Sequence, residues 1–176
     1  MPANAAPLQQ AGGTVIIGPS GGVWTYISTP SPSTTTSEWY PTSGAYKDWY
    51  KPSYDESGWS LNPATGWSKQ WDTLGWSVPS GLSKLAYHYS SDANYSIGLH
   101  RQWFAIPAGQ RATSVKLEIF ADDMFTAHLN GVKLFTYGGA HSETFTNIDP
   151  SILAEGGNLL AISLLNASGP GGLVYR

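Results

Sequence analysis

The stretch from His100 to Tyr137 constrains the fold of this chain more than any other part of the sequence. Within it, the run from Ser114 to Ala121 alternates strictly: Val115, Leu117 and Ile119 face one way, and charged residues between them face the other. A period of two is typical of a β-strand with one buried face. The pattern therefore predicts a strand whose three aliphatic side chains lie in the main core.

A β-hairpin follows directly. Met124 to Leu129 and Val132 to Phe135 are both β-type runs, and Asn130-Gly131 lies between them. A tight hairpin turn of the primed type needs positive φ at both central positions, which Asn and Gly tolerate best. Before this hairpin, Arg101 to Ile106 is an aromatic and β-branched run that ends at a proline, where ladder pairing stops.

The rest of the chain also favours strands over helices. Further strands are predicted at Thr14 to Ile17, Val23 to Ile27, His141 to Ile148, Asn158 to Leu165 and Leu173 to Arg176, with a weak hairpin between Ser83 and Leu99. The only helical signal is about one turn near Ser151 to Ala154. We therefore predict an all-β fold, an antiparallel β-sandwich with jelly-roll-like topology, long aromatic-rich loops and an extended N-terminal arm.

The predicted domain boundary lies in a Pro/Ser/Thr-rich linker, and it separates an arm (residues 1–37) from the sandwich (residues 38–176). Residues 1–13 have almost no apolar area to offset the entropy of ordering the backbone. The β-branched residues Thr14, Val15, Ile16 and Ile17 follow them, and such a run suits pairing along an exposed sheet edge. We expect these four residues to contact a neighbouring subunit; a hairpin with Val23 to Ile27 is the alternative.

A set of short motifs between Tyr54 and Tyr175 carries a resemblance to a known fold. The motifs are Asp55-Glu56-Ser57-Gly58-Trp59, Arg101-Gln102-Trp103-Phe104, Ala121-Asp122-Asp123, Leu129-Asn130-Gly131, Asp149-Pro150-Ser151-Ile152-Leu153, Gly156-Gly157-Asn158 and Leu160-Ala161-Ile162. Their succession resembles the galactose-binding-like β-sandwich. The resemblance implies the fold but leaves the function open, since such sandwiches serve as sugar-binding modules, as non-catalytic domains of glycosidases and as parts of surface or virion proteins.

Composition excludes several classes of function. Only 12% of the residues are charged and the net charge is −3, so the chain offers no basic patch for nucleic acid. It has no cysteine, hence neither disulfides nor thiolate metal sites. No apolar run approaches the ~20 residues of a membrane-spanning helix. The first 13 residues lack the basic and apolar regions of a secretory signal.

Aromatic residues suggest glycan recognition. The chain has eight Trp and ten Tyr, and flat rings stack well on the apolar faces of sugars. Trp67, Trp71 and Trp76 lie in Gly/Ser-rich surroundings, where exposed rings are expected, and they are the candidate carbohydrate-binding residues; packing in the core is the alternative for each. For Trp59 and Trp103 we expect burial, because both match buried positions of the family that the chain resembles.

No catalytic or metal-binding set stands out. Asp122 and Asp123 are adjacent, and adjacent strand residues point to opposite faces, so a structural Ca²⁺ at this pair is not supported. We interpret these two residues, and Asp55 with Glu56, as turn-stabilising. The four histidines form no metal-binding pair on a helix, and His128 falls on the polar side of its hairpin strand. With no nucleophile motif either, the chain is predicted to be a non-enzyme without cofactor.

Two functions are compatible with these observations. The first, which we favour, is a structural or adhesive component of an exterior assembly, such as a virion decoration or tail protein, with neighbouring subunits as partners and glycans as a further candidate. The second is a secreted carbohydrate-binding module of a larger enzyme. Either function places the chain on the exterior of a virion or outside a cell.

Overall fold

A computed structural model describes residues 9–11, 14–16, 22–28, 40–61, 83–87, 96–138, 141–166 and 171–175. Their strands are β1 (Gln9–Ala11), β2 (Thr14–Ile16), β3 (Val23–Ser28), β4 (Ser60–Leu61), β5 (Ser83–Tyr87), β6 (Ser96–Ile106), β7 (Val115–Asp122), β8 (Met124–Leu129), β9 (Val132–Tyr137), β10 (His141–Ile148), β11 (Gly156–Asn166) and β12 (Gly171–Tyr175). Helical structure within these ranges is limited to 3₁₀ turns at Gly44–Tyr46 and Pro150–Ile152.

Strands β3 to β12 build the two sheets of a sandwich. The smaller sheet has the order β10-β7-β12-β5, and the larger has the order β4-β3-β6-β11-β8-β9. All the neighbouring strands pair antiparallel. The predicted fold class, an all-β antiparallel sandwich, is therefore confirmed.

The two strongest sequence signals fold as predicted. In β7, Leu117 and Ile119 are buried and Val115 packs against the same core. The turn between β8 and β9 has φ of 51° at Asn130 and 84° at Gly131. These are the positive values that a primed hairpin turn requires.

The pairing of three other segments differs from the prediction. No hairpin joins Ser83 to Leu99, because β5 pairs with β12 in the smaller sheet whereas β6 pairs with β3 and β11 in the larger one. Strand β3, which the predicted boundary placed in the arm, is part of the larger sheet through its pairing with β6. The linker composition after β3 therefore does not mark the beginning of the sandwich.

The N-terminal region contains a hairpin of its own. Strand β2 pairs with β1, with Thr14 opposite Ala11 and Ile16 opposite Gln9. The alternative pairing of β2 with Val23 to Ile27 is not the one observed, since the described partners of β3 are β4 and β6. A segment predicted to be an extended arm thus obtains backbone partners from its own chain.

The main core fills the space between the two sheets. Its buried residues are Phe104, Phe125, Ala127, Leu129, Leu160, Ile162 and Leu164 from the larger sheet and Leu117, Ile119, Ala121, Ile148, Leu173 and Tyr175 from the smaller one. In β11 every second residue points into this core, and Leu159, Ala161 and Leu165 between them point to the opposite, outer face. Strand β11 is therefore buried on both faces, which explains its nearly continuous apolar sequence.

An irregular segment, residues 40–59, covers the outer face of the larger sheet; we call it the cover segment. Tyr40 and Trp49 from this segment form a second core with Ile97 and Leu99 of β6 and with the outward residues of β11. The cover also buries His128, whose side chain is only 1% exposed and stacks on Tyr50 with ring centroids 4.3 Å apart. The alternation placed His128 on the polar side of its strand, and it does lie on the outer face, but the alternation cannot reveal that this face is covered.

A buried arginine clamps the cover segment to the sheet. Arg101 of β6 forms an ion pair with Glu56 through its Nε, and its Nη1 donates to the carbonyl oxygens of Trp49 and of Lys51, the latter at 3.0 Å. Its side chain has no exposed area, while that of Glu56 is 13% exposed. Because Glu56 also accepts from Trp103 Nε1 at 2.9 Å, one carboxylate holds two side chains of β6. The role of Glu56 is thus structural, but its carboxylate bonds to β6 and does not stabilise the local turn as predicted.

Candidate functional site

A groove lies at the open side of the sandwich, where an edge strand of each sheet ends. Its volume is about 330 Å³. It is lined by Val132, Lys133, Leu134 and Phe135 of β9, by Thr146, Asn147 and Ile148 of β10, and by Asp149 and Ile152 of the following turn. Strands β9 and β10 are the edge strands of the larger and the smaller sheet, so the groove separates the two sheets at this side. We call it the edge groove.

A β-bulge interrupts each of these edge strands at the groove. In β9, Lys133 pairs with His128 and Phe135 with Ala127, which leaves Leu134 as an extra residue. In β10, the pairing with β7 shifts between Phe145 and Ile148, where Thr146 and Asn147 lie. Bulges bend an edge strand and re-aim its side chains, and they are enriched beside functional sites. Two of them facing one groove single out this place in the structure.

The β9 side of the groove is largely apolar. Val132 and Phe135 lie opposite Leu129 and Ala127 of β8, which point into the main core, and Tyr137 lies opposite Phe125 in the same row. Val132 is 48% exposed and Tyr137 is 39% exposed, the highest values among the large apolar side chains of the described residues. The Tyr137 ring is nearly parallel to the Phe125 ring, at 14° and a centroid distance of 6.3 Å. An exposed aromatic ring thus lies on the same strand, two residues beyond the groove-lining Phe135.

The opposite side carries exposed polar side chains beside Ile148 and Ile152. Thr146, Asn147 and Asp149 are exposed there. Asp149 caps the 3₁₀ turn: its Oδ1 accepts from Ser151 N at 2.9 Å and its Oδ2 from Ser151 Oγ at 2.8 Å. These hydrogen bonds hold the pKa of Asp149 below its usual value, and the bond from the backbone N–H of Ser151 contributes most. Asp149 is therefore a fixed carboxylate at neutral pH, with acceptor capacity left for a ligand.

Two asparagines hold the end of the edge groove in place. Asn130, in the β8–β9 turn, donates through Nδ2 to Ile152 O and to Asn158 Oδ1, both at 2.8 Å, and accepts from Leu159 N. Asn158 is buried and bonds in turn to Ala154. The β9 wall and the wall carrying Ile152 are therefore joined by side-chain hydrogen bonds as well as by packing.

The groove combines apolar and polar side chains. Among the described residues that line it, Asp149 is the one carboxylate. Among the described residues, no group of three or more His, Cys, Asp or Glu side chains is placed to hold a metal ion. What the groove offers is an apolar wall, an exposed ring nearby and a polar wall of hydrogen-bonding groups.

The structure brings together few of the residues that the sequence analysis selected. The candidate sugar-binding residues Trp67, Trp71 and Trp76 lie outside the described residues, as does Ile17. Thr14, Val15 and Ile16 form β2, and their side chains are not described. The expected contact of these four residues with a neighbouring subunit stays a prediction.

The structure also tests other roles that were assigned from the sequence. Trp59 and Trp103 are half-buried against the second core, so the expected burial holds only in part. Asp55 accepts through Oδ1 from Ser57 N at 3.0 Å, which confirms its turn-stabilising role. Asp123 donates its backbone N–H to Leu165 O at 3.3 Å. Within the described ranges, no helix is long and apolar enough to cross a membrane.

The edge groove was missed because its signal in the sequence is weak. The adjacent pair Leu134-Phe135 breaks the alternation of β9, and this break marks the bulge. In β10, Thr146-Asn147 interrupts the strand before Ile148 in the same way. Neither break says that the two strands border one groove.

Comparison with known proteins shows similarity of fold alone. No family model matches the chain, and no curated protein matches it. A PA14 sugar-binding domain from an RTX adhesin is 20% identical over 47% of this chain and 46% of its own, with a TM-score of 0.31. A β-glucuronidase from glycoside hydrolase family 2 is 14% identical over 87% of this chain and 16% of its own (TM-score 0.48). A β-glucosidase from Kluyveromyces marxianus in complex with glucose is 13% identical over 89% of this chain and 15% of its own (TM-score 0.44).

The chain thus spans less than half the length of each of these solved structures. All three TM-scores lie below 0.5, and all three identities lie at or below 20%. The similarity agrees with a β-sandwich and carries no argument about what this chain binds.

Proposed function

We propose that this chain is a non-catalytic β-sandwich module, of galactose-binding-like type, that binds glycans in the edge groove. The observation that carries the proposal is the pair of bulges at the groove, one on each edge strand, which place an apolar wall opposite a polar one. A pyranose ring has the matching chemistry, since its faces are apolar and its edge carries hydroxyl groups. The volume of about 330 Å³ lies within the range of small-ligand sites.

The two walls take different parts of the sugar in this proposal. Val132, Phe135 and the ring of Tyr137 contact the C–H face, as flat apolar surfaces do. Asn147 donates and accepts hydrogen bonds, and the carboxylate of Asp149 accepts from hydroxyl groups. The ligand is held by shape and hydrogen bonds, and no bond of the ligand is broken.

The bulged edge of β9 favours a small ligand over an added protein strand. An unpaired edge strand is an open template for another chain, and natural sheets block such edges with bulges and lysines. Strand β9 has both, the extra residue Leu134 and the exposed Lys133. The groove beside this strand is thus protected from strand addition while it stays open to a glycan.

The test is a glycan array on the full chain, followed by titration calorimetry with the best ligand. Asn147→Ala and Tyr137→Ala should each weaken binding by at least tenfold. Asn147 is exposed, so its replacement should change the free energy of unfolding by less than about 0.5 kcal/mol. The matched control is Lys116→Ala on β7 of the smaller sheet, which should bind as the wild type does. A folded protein with no hit on the array, or groove variants with unchanged affinity, contradicts the proposal.

Trp67, Trp71 and Trp76, which lie outside the described residues, remain predicted sugar contacts in addition to those proposed in the groove. An alanine at a true contact should weaken glycan binding without lowering the melting temperature much. The glycan array, repeated with an alanine variant at each of these three positions, decides whether the ligand extends beyond the groove.

A second candidate is a structural or adhesive role in an exterior assembly, such as a virion decoration or tail. One observation favours it: β2, which was predicted to contact a neighbouring subunit, forms with β1 a two-stranded sheet apart from the two sheets of the sandwich. Deleting residues 1–18 should then leave a folded monomer that no longer assembles, as measured by its mass in native solution. If the deleted protein associates as well as the full chain, the carbohydrate-binding module is the better account. Both candidates place the chain outside a cell or on a virion surface.

A further inference from the structure

A second aromatic surface lies on the outer face of the larger sheet, away from the edge groove. Tyr54 and Trp59 of the cover segment and Trp103 of β6 surround the guanidinium of Arg101. The distances from Arg101 Cζ to the three ring centroids are 5.6, 6.0 and 6.0 Å. Each ring is partly exposed, and the Tyr54 and Trp59 rings meet edge to face at 5.7 Å. We call these three residues the ring surface.

The polar atoms of two of these rings are bound by the protein itself. Trp103 Nε1 donates to Glu56 Oε1 at 2.9 Å, and the Tyr54 hydroxyl donates to the carbonyl oxygen of Ala45 at 3.1 Å. Tyr and Trp at a surface normally direct the polar tip toward water and the apolar body toward the protein. Here the polar atoms of these two rings are hydrogen-bonded within the protein, so much of the ring area that faces solvent is carbon.

The rings are also held rigidly. Arg101 lies beneath them with its side chain fully buried, and Glu56 neutralises its charge. A side chain on Gly157 would contact the Trp103 ring at 3.9 Å, so the glycine leaves that ring uncovered by the neighbouring strand. A ring fixed before binding loses little conformational entropy when a flat partner stacks on it.

We propose that the ring surface is a second carbohydrate-binding site, which stacks on the pyranose rings of a neutral glycan. The inference rests on the proposed function and adds a second site to it. Neutral sugars are favoured because the one cation under the rings is already paired with Glu56 and has no free charge for an acidic sugar. The Tyr54 and Trp103 rings, whose polar atoms are already bound, suit the C–H faces of such sugars.

The two sites are separate, so a long glycan can occupy both. In the larger sheet, β11 and β8 lie between β6, which carries Trp103, and β9. Adjacent strands are about 4.8 Å apart, so roughly 14 Å separates β6 from β9. The ring surface also faces outward, whereas Val132 and Phe135 face inward. Two weak sites on one chain bind a polymer more tightly than either binds alone, because the second contact forms at a high effective concentration.

The experiment uses the full chain with 5-fluorotryptophan and follows ¹⁹F resonances during titration with maltohexaose, cellohexaose and mannohexaose. The signals of Trp59 and Trp103 are assigned from Trp59→Phe and Trp103→Phe. We expect at least one of these hexasaccharides to shift both signals. The same shifts should persist in the Asn147→Ala variant, in which binding to the edge groove is weakened. This measurement needs no destabilising variant.

Affinity measurements complete the test. Trp59→Ala should weaken binding of the active hexasaccharide by about tenfold while leaving the affinity for the corresponding monosaccharide in the groove unchanged. The matched control, Trp59→Phe, retains an aromatic face and should keep most of the affinity. If a hexasaccharide binds and neither Trp signal shifts, the proposed site at the ring surface is wrong, while the proposed site in the edge groove is unaffected. Binding of none of the three probes, with no hit on the glycan array, overturns the ring surface and the proposed function together.

Discussion

The two faces of the larger sheet are covered in different ways. On the inner face, a second regular sheet packs mainly through aliphatic and aromatic side chains, with the buried His100 and Gln102 on the same face of β6. On the outer face, the irregular cover segment is held by aromatic rings together with the buried Arg101–Glu56 pair. The first contact depends on the amount of buried apolar area, which many sequences can supply. The second depends on individual bonds, and a single substitution should release it.

The largest effect is expected at the clamp of the outer face. Arg101→Met should destabilise the chain by about 3–5 kcal/mol, because it leaves Glu56 and the Trp49 carbonyl oxygen without their partner in a mostly buried site. Urea unfolding measures this cost. The double variant Arg101→Met/Glu56→Gln should recover part of it, since no charge is then left unpaired. A cost below 1 kcal/mol for the single variant, by the same principle, means that packing alone holds the cover.

On the inner face, removal of one aliphatic side chain should cost a comparable or smaller amount. Leu117 is 4% exposed, and Leu117→Ala should cost about 2–5 kcal/mol through lost burial and the cavity left behind. Val115→Ala is the matched control on the same strand and should cost less, because Val115 is only partly buried. Tryptophan fluorescence of the folded protein should also distinguish the two faces, because Leu117→Ala should leave it unchanged and Arg101→Met should shift it.

Acid should weaken the inner face through His100. This residue pairs with Ile162, which points into the main core, and burial lowers its pKa from 6.5 to about 3. Between these values the unfolded chain binds a proton that the folded chain does not, so stability is complete above pH 6.5 and is lost as the pH falls toward 3. From pH 7.5 to pH 5 the expected loss is about 2 kcal/mol.

The control for this pH effect is His100→Leu, measured by urea unfolding at the same two pH values. Other histidines and the carboxylates titrate in both proteins, so the difference between the two slopes reports His100 alone. If wild type and variant lose the same stability between pH 7.5 and pH 5, the folded chain accommodates a proton on His100.

The smallest effect is expected for an ion pair that neither covering contact uses. Lys116 and Glu118 lie 2.7 Å apart on the face of β7 that points away from the main core, with 54% and 21% of their side chains exposed. Lys116→Ala should change the free energy of unfolding by less than about 0.5 kcal/mol, because exposed pairs gain little over solvation. A cost as large as that of Arg101→Met would remove the distinction between a buried and an exposed pair.

The inner face could be predicted from the sequence because it obeys a local rule. The alternation of β7 identified its buried side chains, and Asn130-Gly131 identified the hairpin. The outer face obeys no such rule. No pattern in the sequence near His128 indicates that Tyr50, which is distant in the chain, stacks on it.

The same reasoning accounts for the other errors and omissions. Strands β5 and β6 are neighbours in the sequence but belong to different sheets, and sequence proximity alone suggested a hairpin. The edge groove depends on two bulges and on the meeting of two sheet edges, which are properties of the folded chain. Arg101 stood in a recognised motif, yet its partner Glu56 could be identified only once the cover segment was placed.

The position of β12 bears on how the chain acquires this fold. Although β12 is the final strand in the chain order, it lies between β7 and β5 in the smaller sheet. Among the described residues, the sheet partner of β5 is β12, and the strands from β6 to β11 are synthesised before it. During vectorial synthesis the smaller sheet cannot close until the ribosome has delivered β12, and the aliphatic face of β7 stays incompletely covered until then. Pairing between strands so distant in the sequence is slow, and strands that wait for a partner are exposed to aggregation until the sheet is complete.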